Sequence, residues 1–513
     1  MFSAGPSAEQ CAWLERFRQR LSSDEGAVQL AQTHISWVLL TPTHAYKVKK
    51  DVALGFLDFS LLSLRRAACE AEWRLNARLA PELYLGVQAR DGRGAVCAPA
   101  EAAEWVVQMH RFDEDQRLDR RLLAGTVSGA ELDALADAVA QMHAAAPAQL
   151  AGLADQVQEQ TRWQHLRART VEGLRQGTLS PQGERLLLAT EVWLAAQERV
   201  LAPLWAQRRE AGWVRDGHGD LHLGNVCWFH GRPQLYDGLE FDETLRITDI
   251  AHDLAFLLMD LWAAGHHAVA WRLASRYLER LPDWSGVPSW SVFVALRALV
   301  RWRVAQLSTP ADGLAGVAYQ RVLAQGLAPR RPALILMHGW SGSGKSVVSQ
   351  GLVEALGALR LRSDVVRQQL DHDSPEARYA PDQKARVYAQ MRAWAAPALR
   401  VGWRVVLDAT HLSVTERQAA QQLAEQAGVP WVIVSCQAPV EVLRSRVRAR
   451  RGDASEADES VLDAQLKTSD ALTEAELART WVADTTRAPS CWTRRRTWRV
   501  LAGLIKPGRW AVA

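Results

Sequence analysis

Long apolar runs are missing from this chain of 513 residues: no uncharged apolar stretch reaches the ~18–20 residues that span a bilayer. Residues 1–20 show no basic-then-apolar leader and read as polar helix, so a secreted or membrane-spanning protein is not expected. Cysteine is scarce. The six cysteines (11, 69, 97, 227, 436 and 491) never form a CxxC pair, which argues against a zinc site or a disulfide framework. Single buried thiols in a reducing, cytoplasmic compartment are the expectation. The 33 glycines and 20 prolines are about a tenth of the chain, too few for collagen-like or low-complexity sequence. What remains, 48% hydrophobic and 23% charged, is the balance of a globular protein. At ~150 residues per domain the length predicts two large domains or about three smaller ones.

Acidic residues are absent after Asp484, whereas Arg487, Arg494, Arg495, Arg496, Arg499, Lys506 and Arg509 follow it. Residues 330–513 hold 27 Lys and Arg against 19 Asp and Glu, and the remainder holds 34 against 38. Opposite signs predict two parts with different tasks. Seven of the eight excess charges of the C-terminal part lie in the tail 487–513, so the net +4 says nothing about a nucleic-acid-binding catalytic face. Nucleic acid stays open as a partner of the tail alone, where Trp492, Trp498 and Trp510 alternate with arginines. The competing reading is a tail helix that packs its indoles and solvates its guanidiniums.

Periodicity predicts two short strands around Thr41-Pro42-Thr43, a helix over 61–79, a strand over 104–112 and a capped helix from Ser128. Helices dominate 160–210, 248–308 and 313–327. Prolines and glycines at 309–332 mark a boundary. Beyond it, apolar strands alternate with helices, which predicts a parallel sheet with helices on both faces. The division expected is 1–329, 330–486 and a tail, 487–513.

Gly339-x-x-x-x-Gly344-Lys345-Ser346 follows the apolar run ALILMH and opens a helical pattern. Glycines let backbone N–H groups turn inward around phosphate, and the helix start adds its positive end. Gly339, Ser341, Gly342, Ser343, Gly344, Lys345 and Ser346 are the expected ATP cradle, with Ser346 on Mg²⁺. Downstream, Asp364 suits a base for an acceptor hydroxyl and Arg367 an anion clamp, or both belong to a helix start. Asp408 ends the strand RVVLD, the place of a metal-supporting acid. Arg446 and Arg450 belong to an arginine-rich helix that reads either as a lid over transferring charge or as a solvated face.

Residues 333–478 resemble the P-loop kinases that include polynucleotide kinase, gluconate kinase and chloramphenicol phosphotransferase. The match runs through GxSGSGKS, SDxxR, a strand ending DAT, the arginine lid and Gln465. The resemblance implies that Asp364 activates the acceptor and that Arg446 and Arg450 are the lid arginines.

A second signature, His218-x-Asp220-x-x-x-x-Asn225 with Asp237 after a short hairpin, has the layout of a catalytic loop followed by a metal-binding acid. It resembles the aminoglycoside phosphotransferase and choline kinase group, relatives of the protein kinases. That resemblance implies Asp220 as base, Asn225 and Asp237 as metal ligands, and His218 and Asp253 as structural supports. It makes Lys47 the phosphate-gripping lysine, paired with Glu72 in preference to Glu70. Residues 30–46 contain no glycine, so a phosphate-covering glycine loop is missing. The acidic run Asp237, Glu240, Asp242, Glu243 and Asp249 either attracts a cationic acceptor or is an ordinary loop.

Over about residues 30–480 the chain resembles a bacterial two-domain family, an aminoglycoside-phosphotransferase-like domain followed by a P-loop kinase domain. The fold class expected is multidomain, α+β and α/β: a bilobal protein-kinase-like domain, then a P-loop NTPase domain with a parallel sheet flanked by helices. The function expected is Mg²⁺- and ATP-dependent phosphotransfer to a hydroxyl of a small molecule or polynucleotide. Rival readings make the N-terminal half a pseudokinase, or the whole an ATP-driven switch.

Overall fold

The computed structural model forms two compact units, Met1–Arg169 with Leu204–Asp260, and Thr170–Pro203 with Leu261–Ala513. It describes all residues except 1–4, 55–56, 149–152, 309–315, 329, 371–380, 450–457, 493–494, 499–500, 502 and 504–513. No helix among the described residues is long and apolar enough to cross a membrane.

The first unit begins with α1 (Ala8–Glu25), whose N-cap Ser7 side chain accepts the Gln10 N–H. The strands β1 (Gln29–Gln32), β2 (Ser36–Leu40) and β3 (His44–Lys49) follow, then the ribbon β4 (Ala53–Leu54) and β5 (Leu57–Asp58). Next come α2 (Leu62–Leu79), β6 (Tyr84–Arg90) and β7 (Glu104–His110). The antiparallel order is β1-β2-β3-β7-β6. Alternation decides the faces: Trp37, Leu39, Tyr46 and Val48 share one core with Trp13 and Phe17 of α1. A helical region follows: α3 (Leu118–Ala124), α4 (Gly129–Ala145), α5 (Leu153–Gln176) and α6 (Pro181–Glu210), with Thr170–Pro203 of the last two counted in the second unit. The predicted capping box of Ser128 and Glu131 opens α4. Then β8 (Val214–Asp216), the hairpin β9 (Val226–Phe229) with β10 (Arg232–Leu235), α7 (Glu243–Arg246), β11 (Ile247–Asp249) and α8 (Ile250–Ala263) carry the catalytic-loop region. A five-stranded antiparallel sheet is thus followed by helices and the short strands that carry this loop, the α+β order expected of the N-terminal part.

The second unit contains α9 (His267–Arg280), α10 (Trp290–Ser308), α11 (Val317–Leu327), β12 (Ala333–His338), α12 (Lys345–Leu356), β13 (Ala358–Arg362) and α13 (Ser363–Gln369). It continues with α14 (Pro381–Arg400), β14 (Arg404–Asp408), α15 (Val414–Gln426), β15 (Trp431–Gln437), α16 (Val440–Ala449), α17 (Glu459–Thr468), α18 (Glu474–Leu477) and β16 (Thr480–Asp484). The order is β13-β14-β12-β15-β16, all parallel. Residues 333–337 of β12 are fully buried, as a strand covered on both faces requires.

Two features bear on the sequence reading. The compact units count α9 and α10 with the parallel sheet, upstream of the expected boundary at 329/330, and α9 packs on β13 and α12. Trp271 of α9 meets Trp403 at 5.2 Å, and Glu279 pairs with Arg360 of β13 at 2.8 Å. A helical pattern tells that a face is buried, not which element buries it. Of the two readings of the tail, the packed one holds for two indoles: Trp492 and Trp498 are 3% and 0% exposed, in one core with Leu501, Val348 and Leu352. A Cβ on Gly351 of α12 would lie 2.5 Å from the Trp492 carbonyl oxygen, so only glycine admits this approach. These two indoles are core and offer no platform for stacking bases, whereas Trp510 lies outside the described residues.

Candidate active sites

In the second unit the P-loop leaves β12 and enters α12. Gly339, Gly342 and Gly344 have φ of 140°, 79° and 80°. A Cβ on Gly339 would also sit 2.6 Å from the Cys436 carbonyl, so shape and backbone both demand glycine there. Lys345 Nζ donates to the Gly339 and Trp340 carbonyls, each at 2.9 Å. The Ser341 N–H donates to Gln465 Oε1 of α17 at 2.8 Å. Ser343 Oγ is buried without a partner, an orphaned polar atom inside a phosphate-sized turn. The cradle therefore fits a polyphosphate.

Asp408 ends β14 and is 5% exposed; its Oδ2 accepts from Ser349 Oγ of α12 at 2.7 Å. Asp364 opens α13, where Arg367 Nη1 donates to its Oδ1 at 2.9 Å. Arg446 of α16 is tied to the Thr485 carbonyl at 2.6 Å and to the Gly342 carbonyl at 3.4 Å. One cavity of about 650 Å³ is lined by Ser341, Gly342, Gly344, Lys345, Ser346, Asp364, Arg367, Asp408 and Arg446. Gly339 and Ser343 shape the turn itself; Arg450 lies outside the described residues.

The same cavity includes residues that sequence reasoning missed: Arg362, Lys384, Tyr388 and Thr410. Tyr388 OH lies 3.2 Å from Thr410 Oγ1, and Lys384 pairs with Glu416 at 2.8 Å. Lys384 and Tyr388 are four apart on α14, a spacing too common to signal a site. Beneath the loop, burial pushes His338 and His411 down to about 4, so both rings are neutral at neutral pH.

In the first unit β3 presents Lys47 to α2, where Glu72 lies 2.8 Å from its Nζ. Glu70 turns to the exposed face and pairs with Arg66 and Arg74. Lys47 also touches Asp237 at 2.6 Å. Burial alone would weaken this ammonium, but Asp237 and Glu72 reverse that and hold its pKa well above the usual value. Lys49, two residues on, is fully buried between Glu72, at 2.5 Å, and Glu240. Burial opposes ionisation of Glu72, yet Lys47 and Lys49 hold it down to about 2.

Asp237 follows β10 with φ 59°, a left-handed conformation uncommon outside glycine, asparagine and aspartate. Asn225 Nδ2 donates to Asp220 Oδ2 at 3.2 Å and lies 3.4 Å from the Asp237 carbonyl, so Asp220, Asn225 and Asp237 are brought together. His218 is buried, with Nε2 3.0 Å from the Tyr236 carbonyl oxygen and Nδ1 accepting the Asp220 N–H at 3.3 Å. Asp253 of α8 accepts the His218 and Gly219 N–H groups at 2.7 and 3.0 Å. Burial works against its charge, but His143 and these donors hold its carboxyl well below the usual range. Where a glycine loop is missing, Thr33 fixes the β1–β2 turn: its Oγ1 accepts the Ser36 N–H at 3.0 Å.

The acidic run does not stay an open negative patch. Asp237 meets Lys47, Glu240 meets Lys49, Asp249 meets Arg208 at 2.7 Å, and Glu243 meets Arg246 at 3.5 Å. No cationic acceptor is called for by these paired acids.

Residues 334–472 match a family model described as an AAA domain. Uncharacterized proteins of Mycobacterium tuberculosis and Mycobacterium bovis are each 29% identical over 458 residues, covering 85% of this chain and 89% of theirs. A choline/ethanolamine kinase family protein from Mesorhizobium loti is similar at 13% identity and TM-score 0.40, over 62% of this chain and 96% of its own. A sugar kinase from Janibacter is similar at 22% identity and TM-score 0.27, over 34% of this chain and 98% of its own. The chemistry is argued from the residues themselves. A P-loop that lines one cavity with a strand-end acid, inside a segment matched by an AAA-domain model, defines the class: a nucleotide-binding P-loop protein.

Proposed function

We propose that the second unit transfers a phosphoryl group from ATP to a hydroxyl of a small molecule or polynucleotide, with Mg²⁺ at Ser346 and Asp408. The observation that carries this reading is a single cavity lined by Lys345, Ser346, Asp364, Asp408 and Arg446. Bound MgATP supplies the phosphoryl group and charge neutralisation. Loop N–H groups and Lys345 bind and orient the phosphates, releasing the two loop carbonyls that Lys345 now holds. Asp364 takes the proton of the acceptor hydroxyl, while Arg367 and Arg446 face developing negative charge. Ser349 holds the Asp408 carboxylate in orientation.

The first unit is read as a second phosphotransfer site of the aminoglycoside phosphotransferase and choline kinase type. In it Asp220 is the base, Asn225 and Asp237 hold metal, and Lys47 grips phosphate. The two-domain bacterial family of this architecture is the proposed home of the chain.

The test is ATP turnover against a panel of hydroxyl acceptors. Lys345→Ala is expected to lower acceptor-dependent turnover by about 10²–10³-fold, and Asp364→Asn by about 10²–10⁴-fold. Turnover that survives both changes removes the P-loop assignment. Loss of a separate, Lys345-independent activity on Asp220→Asn supports the second site; no change leaves that unit without a catalytic role.

A further inference from the structure

The second unit holds another cavity, of about 360 Å³, that shares no lining residue with the P-loop cavity. Gly402, Trp403 and Arg404 bring it to the start of β14, Arg330 and Arg331 to the start of β12, and Leu356 to the end of α12. The P-loop leaves the opposite end of β12, so a strand length of about 20 Å separates the two places.

Its chemistry is one-sided. Arg330, Arg331 and Arg404 line it, and no carboxylate does. Among the described residues no acid pairs with these three guanidiniums. Arg330 is held in place: Nη2 donates to Ser291 Oγ at 2.6 Å, Nη1 to the Val401 carbonyl at 3.2 Å, and its guanidinium lies 3.6 Å from the Trp403 ring centre. Burial pushes Arg330 down to about 10, and burial together with the Arg331 charge pushes Arg404 down as well. Three donors of the lining, Arg404 Nε, Trp262 Nε1 and Trp403 Nε1, are buried without an acceptor. Trp262, Trp271 and Trp403 form a chain of rings with centroids 5.4 and 5.2 Å apart.

Unpaired positive charge, orphaned N–H donors and flat apolar faces are complementary to one kind of molecule. We propose that this cavity is an accessory binding site for a small planar anion, an aromatic ring bearing a carboxylate or phosphate. The ring lies among the indoles, and the anion takes the unpartnered Nε–H of Arg404, whose Nη1 is held by the Leu356 carbonyl, and the charge of Arg331. Nothing in the P-loop chemistry uses these residues, so the site is additional to the proposed transfer reaction.

Gly326 of α11 provides the test. It lines the cavity, and a Cβ there meets nothing within 4 Å, so Gly326→Phe fills the space while favouring the helix. The probe is 1-anilinonaphthalene-8-sulfonate, an aromatic anion that fluoresces on leaving water, titrated into the full chain. One saturable site is expected, abolished in Gly326→Phe and weakened about tenfold by Arg331→Glu, a change at an exposed rim position. Thermal unfolding of both variants is expected to match the parent. Displacement of the Gly326-dependent emission by AMP assigns phosphate as the anion, and displacement by indole-3-acetate assigns carboxylate. The proposal is overturned if emission is the same in both variants. It is equally overturned if neither anion displaces the dye, or if neutral adenosine and indole do so as well as the anions.

Discussion

The two candidate centres differ in how their charged groups are paired. In the first unit they satisfy one another: Lys47 bridges Glu72 and Asp237, Lys49 bridges Glu72 and Glu240, and Asn225 spans Asp220 and Asp237. In the second unit the corresponding groups surround a 650 Å³ cavity, and the lysine rests on loop carbonyls. A lysine on two neutral carbonyls gives up little on turning to phosphate. A lysine buried between two carboxylates gives up two ion pairs. On the proposed reading the first centre has to reorganise before it takes a nucleotide, while the P-loop is already shaped for one.

This contrast can be broken, or drawn tighter, at several points. The largest effect expected is from removing residues 487–513. Trp492, Trp498 and Leu501 are core, so the second unit should lose several kcal/mol, at about 3–5 kcal/mol per large aromatic lost. Calorimetry should show its transition fall or vanish while the other unit's remains. An unchanged transition would mean that the tail is an appendage after all.

Lys49→Met comes next. It strands Glu72 and Glu240 in the interior and should destabilise the first unit by about 3–5 kcal/mol. Urea unfolding reads this directly, and a cost under about 1 kcal/mol would show that the cluster is not the closed network described.

Acid should weaken the second unit through His338 and His411. The unfolded rings take protons below the ordinary 6.5, while the folded rings resist until about 4. The unfolded state thus binds more protons in that window, and stability falls as pH drops from 6.5 towards 4, by about 3 kcal/mol per ring. Melting curves at pH 7.5 and 5 check the sign, and His411→Gln should flatten the difference.

Ser349→Ala carries the smallest effect, about 1 kcal/mol. Without its donor Asp408 should turn more freely, so the Mg²⁺ concentration for half-maximal turnover rises several-fold while the melting temperature hardly moves. An unaltered Mg²⁺ dependence would remove Ser349 from the site's support.

Motif spacing made the candidate residues legible because chemistry constrains such groups locally. A phosphate loop needs its glycines within one turn, and Asn225 must follow Asp220 by one short loop. The choice of Glu72 over Glu70 was legible too, since α2 has one buried face. Long-range pairings were not. Nothing at Lys49 distinguishes it from Lys50, yet the strand turns one to Glu72 and the other to the Thr33 carbonyl. Similarly, an arginine–tryptophan tail admits an arm as well as a packed segment, and its sequence does not say which element it packs on. Only the glycine at 351 admits the backbone of Trp492, and that partnership spans 141 residues.

The pairing of Arg360 with Glu279 bears on how such a chain can be recombined. Arg360 lies in β13, inside the segment matched by the family model, whereas its counter-ion lies in α9, well upstream of that segment. A fragment excised at residues 334–472 would take the buried guanidinium and leave its carboxylate behind. The unit of inheritance here is longer than the motif that identifies it. A graft of the phosphate-binding sheet into another protein would have to bring α9 along, or replace Arg360 with an uncharged side chain.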